Sequence, residues 1–347
     1  MKRHTIMKNK SFIKGLKLII ACLMINFTGT AQNSFVINID GYKYGHVQWQ
    51  QSLNGSVWSD IKDSVNTSLG IDDAIPAYYM AKVSDGTCTP WFSTVYISGS
   101  VKVPMILVPG GTFMMGTTSQ LDPLAYSNEM PMHQVNVDSF YISRYEITNI
   151  QYAKFLNEKR IGANGLDTTA EFGTQTLVVP HKWSLQYVNG NWQPITGYEL
   201  FPVVNVTWYG ANEFCTRAGG RLLTEAEWEF AARGGMQTKN YLYSGSNLIG
   251  NVGWYSSNSA GQTRMIGGKA PNELGINDMS GNVWEWCDDF YQADLTPGVQ
   301  NPTTYKVFRG GSCYTLAPLT RNTLRYYGDP ANYYNSLGFR LCTSITK

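Results

Sequence analysis

Asp278-Met-Ser-Gly-Asn-Val-Trp-Glu-Trp286 places an acidic residue near each end of a glycine-containing turn and closes on two tryptophans. Such a turn can aim main-chain carbonyls inward while its carboxylates supply charge, the arrangement a hard cation prefers. The stretch is one of a series. Val108-Pro-Gly-Gly-Thr-Phe-Met-Met-Gly116 and Arg221-Leu-Leu-Thr-Glu-Ala-Glu-Trp-Glu229 precede it, and Arg309-Gly-Gly-Ser312 and Gly338-Phe-Arg-Leu341 follow. Around these motifs the chain is rich in Gly, Asn and aromatic residues and has few regular elements. Thr148-Asn-Ile-Gln151 and Thr224-Glu-Ala-Glu227 are capping boxes, in which the hydroxyl accepts from the third helical amide while the Gln or Glu side chain reaches back. They predict helices at about 149–158 and 225–233, the second stopped by Gly234-Gly235, and a third helix is expected over about 208–218, ending at Gly219-Gly220. Together these features read as an irregular, loop-rich α+β domain over residues 104–345.

The rest of the chain differs in texture. At 347 residues, with 15% charged and 13% aromatic side chains, it has the composition of a globular protein long enough for two domains. Residues 1–31 stand apart as a signal peptide: Lys2, Arg3, Lys8, Lys10, Lys14 and Lys17 precede an apolar run, Leu18 to Phe27, and Thr28-Gly-Thr-Ala31 leads to Gln32. That run is too short to span a bilayer. Without the leader, 21 Lys and Arg remain against 25 Asp and Glu, so the basic pI belongs to the leader and no basic patch argues for nucleic acid. Export to the periplasm, cell surface or medium is the expectation; Ile19-Ile-Ala-Cys22, a lipid-attachment box, is the alternative to cleavage after Ala31. Cleavage leaves Cys88, Cys215, Cys287, Cys313 and Cys342, an odd number that allows at most two bridges.

Residues 33–100 read as all-β. Val47-Gln-Trp-Gln and Val57-Trp-Ser-Asp-Ile flank Asn54-Gly55, a dipeptide with easy access to positive φ, and Ala77–Val83 and Trp91–Ile97 flank Asp85-Gly86. The pattern looks like the immunoglobulin-like modules of secreted bacterial proteins, with Trp49 and Trp58 as core residues. Ser98–Pro104 is a short linker.

The ordered motifs, together with Glu129-Met-Pro-Met-His133, Phe140-Tyr-Ile-Ser-Arg-Tyr-Glu-Ile-Thr148 and Phe201-Pro-Val-Val-Asn-Val-Thr-Trp208, resemble the formylglycine-generating (sulfatase-modifying factor) family. The resemblance implies an irregular fold related to C-type lectins and an oxidase that converts a substrate cysteine to formylglycine. It implies a structural Ca²⁺ at the positions matched by Asp278, Gly281, Val283 and Glu285, using two side-chain oxygens and two carbonyls; turn capping without metal is the alternative. Asn251 and Val252 match part of a second such site, for which the sequence offers no carboxylate. Cys215 and Cys342 match a disulfide of the family, and closing the 126 intervening residues would stabilise by about 4–5 kcal/mol in the chain-entropy description.

The family's oxidase uses two cysteines, three and eight residues after the Ser of Gly-Gly-Ser, which bind Cu(I) as soft thiolates and activate O₂. Counted from Ser312, those positions are Thr315 and Thr320. A hydroxyl neither binds Cu(I) nor exchanges with a substrate thiol. Ser312, Cys287 and Cys313 are the remaining catalytic candidates, and Cu(I) is expected only if Cys287 and Cys313 form a displaced thiol pair; a disulfide or two buried thiols are the other readings. An iron oxygenase would need about three imidazole or carboxylate ligands, whereas the mature chain has only His46, His133 and His181, at no ligand spacing. What remains is aromatic. Tyr314, Arg321, Arg325, Tyr326 and Tyr333 lie in the stretch expected to contact a protein or glycan, since such side chains offer large contact area at low entropy cost. The expectation is therefore a calcium-stabilised binding domain, with an active formylglycine-generating oxidase as the alternative.

Overall fold

Thr148 and Thr224 cap helices as their sequence contexts predict. The Thr148 hydroxyl accepts from Gln151 N at the start of α1 (Asn149–Glu158), and the Gln151 side chain accepts from Thr148 N. Thr207 caps α2 (Trp208–Arg217), and the Thr224–Glu227 box starts α3 (Glu225–Ala232). Gly234 (φ +88°) follows α3 in the left-handed region that ends helices. The computed structural model describes residues 103–169, 172–296 and 303–345, and ahead of them strand segments between residues 24 and 97 together with residue 65.

The chain divides into two units, Met1–Lys102 and Val103–Lys347. In the first, Ala77–Ser84 lies between His46–Ser52 and Trp91–Ile97 in an antiparallel sheet that Ser59–Asp60 completes, so both expected strand pairs form. Trp49 is fully buried; the two turns, Trp58 and Cys88 lie outside the described residues. A second antiparallel sheet joins Met24–Gly29, Ser34–Asp40 and Ser68–Asp72, so the end of the expected leader is paired in the uncleaved chain.

The second unit is the α+β domain. Met105–Val108 (β1) pairs with Phe140–Ser143 (β4), which also pairs with the chain end; Gly111–Met115 (β2) and His133–Val137 (β3) form a hairpin. Its central sheet consists of Trp284–Phe290 (β5), Lys306–Arg309 (β6), Arg325–Gly328 (β7) and Leu337–Phe339 (β8), in the order β7-β6-β5-β8, with β5 and β8 parallel. Side chains alternate across a strand, and here that alternation divides the core. Trp286, Phe308 and Phe339 face a cluster with α1 and α2, whereas Cys287 and Val307 face a cluster with α3. The chain finishes on Cys342–Ser344 (β9), which joins the β9-β4-β1 sheet.

One row across this sheet explains the acidic face of α3. Arg325, Arg309, Glu285 and Gly338 are consecutive cross-strand partners, which sets two guanidinium groups side by side in the interior. Like charges directly opposite one another destabilise a sheet. Glu225 and Glu229, one turn apart on α3, supply the compensation: Glu225 holds Arg325 at 2.5 and 2.7 Å, and Glu229 Oε2 holds Arg309 Nη2 at 2.5 Å. Trp228, between them, donates its indole N–H to Glu285 at 2.7 Å. The Thr-Glu-Ala-Glu-Trp-Glu motif is thus the docking face of α3. Among the described residues no helix is long and apolar enough to cross a membrane.

Candidate functional site

Gly310 and Gly311, after β6, turn the chain with φ of +94° and +74°. A methyl group on Gly311 would lie 2.7 Å from Thr320 Cγ2 and 3.0 Å from Thr315 Oγ1, so both threonines close around the same glycine. The fold therefore brings together the two positions that the family resemblance assigns to thiols. Their hydroxyls serve the backbone instead. Thr315 Oγ1 donates to Ser312 O and accepts from Ser312 N, each at 2.9 Å, and Thr320 Oγ1 donates to Ala317 O at 2.9 Å. Ser312 is buried, its Oγ accepting from Tyr314 N at 3.3 Å. No histidine partners it among the described residues. The side chains of His133 and His181 make only local hydrogen bonds, with Pro131 O and from Trp183 N.

Nor does the structure join the remaining sulfurs. Cys287 and Cys313 are free and buried in separate surroundings: Cys287 lies near Glu225 and Arg309, Cys313 near Glu146 and Arg264. Burial pushes the Cys313 thiol up to about 12 and the Cys287 thiol well above its ordinary value, so their surroundings disfavour a free thiolate at either. The expected Cys215–Cys342 bridge is also absent. Both are free thiols; Cys215 packs into the α1/α2 cluster with its Sγ 3.8 Å from Arg340 O, and Cys342 into the α3 cluster. They are near enough for the charge of one to raise the pKa of the other after burial has done so.

The acidic turn folds around an unspent oxygen. Asp278 (φ +63°) accepts from Gly267 N through Oδ2 at 2.6 Å, while Oδ1 is buried without a partner. At Gly281 (φ +88°) a Cβ would stand 2.2 Å from Trp254 O, which excludes any other residue. Glu146, absent from the sequence reading, approaches from the end of the Phe140–Thr148 motif: its carboxylate accepts from Asn282 Nδ2 at 2.8 Å and Val283 N at 3.3 Å. Glu285 is held by Arg340 Nε and Trp228 Nε1, both at 2.7 Å. Three buried carboxylates thus share one nearby guanidinium. Burial, then the charge of Asp278, pushes Glu146 well above the usual carboxylate range, and burial pushes Asp278 up to about 6. An orphaned carboxylate oxygen beside a second uncompensated acid fits a cation. Glu285 fits less well, because both its oxygens are already spoken for. Among the described residues no three His, Cys, Asp or Glu side chains are arranged to hold a metal, so carbonyls such as those of Gly281 and Val283 would have to complete a shell.

The Asn251–Val252 turn, matched to part of a second ion site, has two neighbouring carbonyls already engaged. Lys269 Nζ donates to Gly250 O at 2.7 Å and Ala270 N to Asn251 O at 3.1 Å. The Lys269 ammonium therefore stands close to the turn expected to contribute to a second ion site.

Residues 100–345 match the sulfatase-modifying factor enzyme 1-like domain. The chain belongs to the sulfatase-modifying factor family. It is 31% identical over 288 residues to the formylglycine-generating enzyme of Mus musculus, covering 68% of this chain and 74% of that one. It is also 31% identical to the inactive C-alpha-formylglycine-generating enzyme 2 of Bos taurus, covering 70% and 87%. The serine/threonine-protein kinase pkn1 of Chlamydia pneumoniae is 30% identical over 250 residues, but the matched region is only 38% of that relative. Among solved structures, PvdO from Pseudomonas aeruginosa (TM-score 0.54, 23% identity, 70% of this chain and 95% of that one) and Treponema denticola variable protein 1 (0.51, 23%, 69% and 94%) share the fold. Residues 27–99 match a domain of unknown function.

Within this sulfatase-modifying factor domain, the residues expected to contact a ligand separate into two groups. Arg321 and Arg325 are internal. Arg321 lies between Asp122 and Glu129, donating to Glu129 at 2.8 and 2.9 Å, and Arg325 is held by Glu225. Desolvating a guanidinium is tolerated only with such partners, and those partners stand some 200 or 100 positions away in sequence. Tyr314, Tyr326 and Tyr333 are exposed. Tyr326 belongs to an aromatic surface: its ring lies 5.8 Å from Trp284, 5.3 Å from Phe308 and 5.9 Å from Tyr327, nearly parallel to the last at 22°. Tyr327 stacks at 4.0 Å on Tyr291 and approaches Tyr305 at 5.3 Å. No ring contact joins Tyr314 or Tyr333 to this surface among the described residues.

Proposed function

We propose that this protein is a binding member of the sulfatase-modifying factor family that does not oxidise a substrate thiol. The observation that carries the reading is the pair Thr315 and Thr320. They occupy adjacent positions around Gly311, yet both hydroxyls are bound to local carbonyls and neither can ligate Cu(I) or form a mixed sulfur intermediate. Cys287 and Cys313 are buried in separate surroundings, where burial raises both thiols above their ordinary value. A relative named as an inactive formylglycine-generating enzyme accords with loss of the reaction on a retained fold. The exposed tyrosines about Tyr326 supply a contact surface for a protein or glycan, and Tyr314 and Tyr333 are exposed as separate contacts.

The same reading includes a structural Ca²⁺ at Asp278, with Glu146 added to the expected set. It also includes export through the leader of residues 1–31 and an immunoglobulin-like module over residues 33–100. The decisive experiment is formylglycine formation on a Cys-x-Pro-x-Arg peptide with added Cu(I). No product is expected above a protein-free control; turnover by the unmodified protein overturns the reading.

A further inference from the structure

A cavity of about 580 Å³ opens between the β2–β3 hairpin, the turn after α3 and the segment that leads into β7. Its size is that of a small-molecule site. None of its lining residues belongs to the Thr315–Thr320 turn or to the Tyr326 surface. Met114, Met132, Met236 and Leu242 contribute to its apolar lining beside Phe113, Leu121 and Phe230, and flexible thioethers adapt to side chains of several shapes.

Its polar walls carry opposite electrostatic character. Arg233 shares Glu229 with Arg309, one carboxylate between two guanidinium groups. Through Nε and Nη2 it is bound to Glu229 and Gly116 O, and its Nη1 makes no hydrogen bond among the described residues. On the other wall Asp122 shares Arg321 with the fully buried Glu129, two carboxylates on one guanidinium. Beside them is Asn322, only 2% exposed. Its Nδ2 donates to Tyr241 O at 3.0 Å, which fixes the orientation of the amide; its N donates to Leu242 O, and its O accepts from Arg309. Only Oδ1 has no partner. A buried acceptor left unpaired is costly and calls for a donor. The hydrogen-bonded path Arg233–Glu229–Arg309–Asn322 ties the two walls together.

We propose that this cavity binds a free apolar L-amino acid. Its carboxylate lies on Arg233 Nη1, its ammonium donates to Asn322 Oδ1 on the Asp122 side, and its side chain packs among the methionines. A zwitterion meets both walls at once, whereas a neutral apolar molecule leaves Asn322 Oδ1 and Arg233 Nη1 as they are.

The test is calorimetric titration of the full chain with L-leucine, L-methionine and L-phenylalanine, set against N-acetyl-L-leucine and L-leucinamide. The expected result is saturable one-site binding of at least one free amino acid with Kd below about 1 mM, weakened about tenfold or more when either charged group is blocked. Thr238→Trp, at an exposed position of the rim, should abolish binding without altering the unfolding curve. Absence of saturable binding by all three amino acids overturns the proposal. So does equal binding of the blocked derivatives, or full binding by the Thr238→Trp protein.

Discussion

Asp278→Asn should stabilise the metal-free protein at neutral pH while removing its response to calcium. Burial holds the Asp278 carboxyl at about 6, against 3.8 for the free side chain. For an acid, a raised native value means that folding favours the proton. The associated stability is present below the unfolded value and is lost as pH rises through the native one. The rise corresponds to about 3 kcal/mol of native-state penalty at pH 7.5. Asparagine keeps an acceptor for Gly267 N and tolerates the left-handed φ of +63°. Its amide nitrogen, however, inherits the unpartnered position of Oδ1, at about 1–2 kcal/mol. The net expectation is a gain of about 1–2 kcal/mol at pH 7.5 in chelator, vanishing by about pH 5, where the wild-type carboxyl is itself protonated. Calcium should reverse the order, since an ion bound only by the native state at a hundred times its Kd adds about 2.7 kcal/mol to the wild type alone. Urea unfolding at both pH values, with chelator and with calcium, reads all four quantities. A variant less stable than wild type at pH 7.5 in chelator would refute the charge argument, and an unchanged calcium shift in the variant would refute the site.

Arg309→Leu leaves Glu229 short of a partner and strips donors from the carbonyls of Asn322, Thr323 and Leu324; urea unfolding should show a loss of about 3–5 kcal/mol, and a loss below 1 kcal/mol would mean that the Arg–Glu row is not what docks α3. Thr315→Cys with Thr320→Cys should create a Cu(I) site, because both side chains already close around Gly311; competition with a chromophoric Cu(I) chelator measures it, and affinity no better than wild type would show that proximity alone is insufficient. Tyr326→Ala should weaken a ligand found on a glycan or protein array by about 1–3 kcal/mol, as expected of an interface aromatic; unchanged affinity would move the contact surface elsewhere.

The frame of the domain was legible because its signals are local. Each capping box states its own helix start within four residues, and the glycines after α2 and α3 state the ends; all three helices fall within a residue or so of expectation. Partnerships were not legible. Arg321 and Arg325 sit in a stretch full of tyrosines and read as ligand contacts, yet the carboxylates that take them inside, Asp122, Glu129 and Glu225, lie 100 to 199 positions earlier. Glu146 escaped notice for the same reason: it reaches Asn282 across 136 residues. Lys269, whose ammonium donates to Gly250 O beside the Asn251–Val252 turn, stands in no motif at all.

This division of labour bears on how activity is lost in such a fold. Arg309, Arg325, Glu225, Glu229, Trp228, Glu285 and Arg340 form one continuous buried network, joined through the Arg309–Glu225 ion pair and Arg309 over the Trp228 ring, that fixes the central sheet against α3. Each member is costly to change, since a substitution leaves a desolvated charge behind. Thr315 and Thr320 stand outside that network: their hydroxyls bond only to main-chain groups of the turn they sit in. The motifs that identify the family are therefore the ones that hold its frame. Thr315 and Thr320, at the positions the family resemblance assigns to thiols, make no bond to that network, so under the proposed function the frame and the redox chemistry are separable.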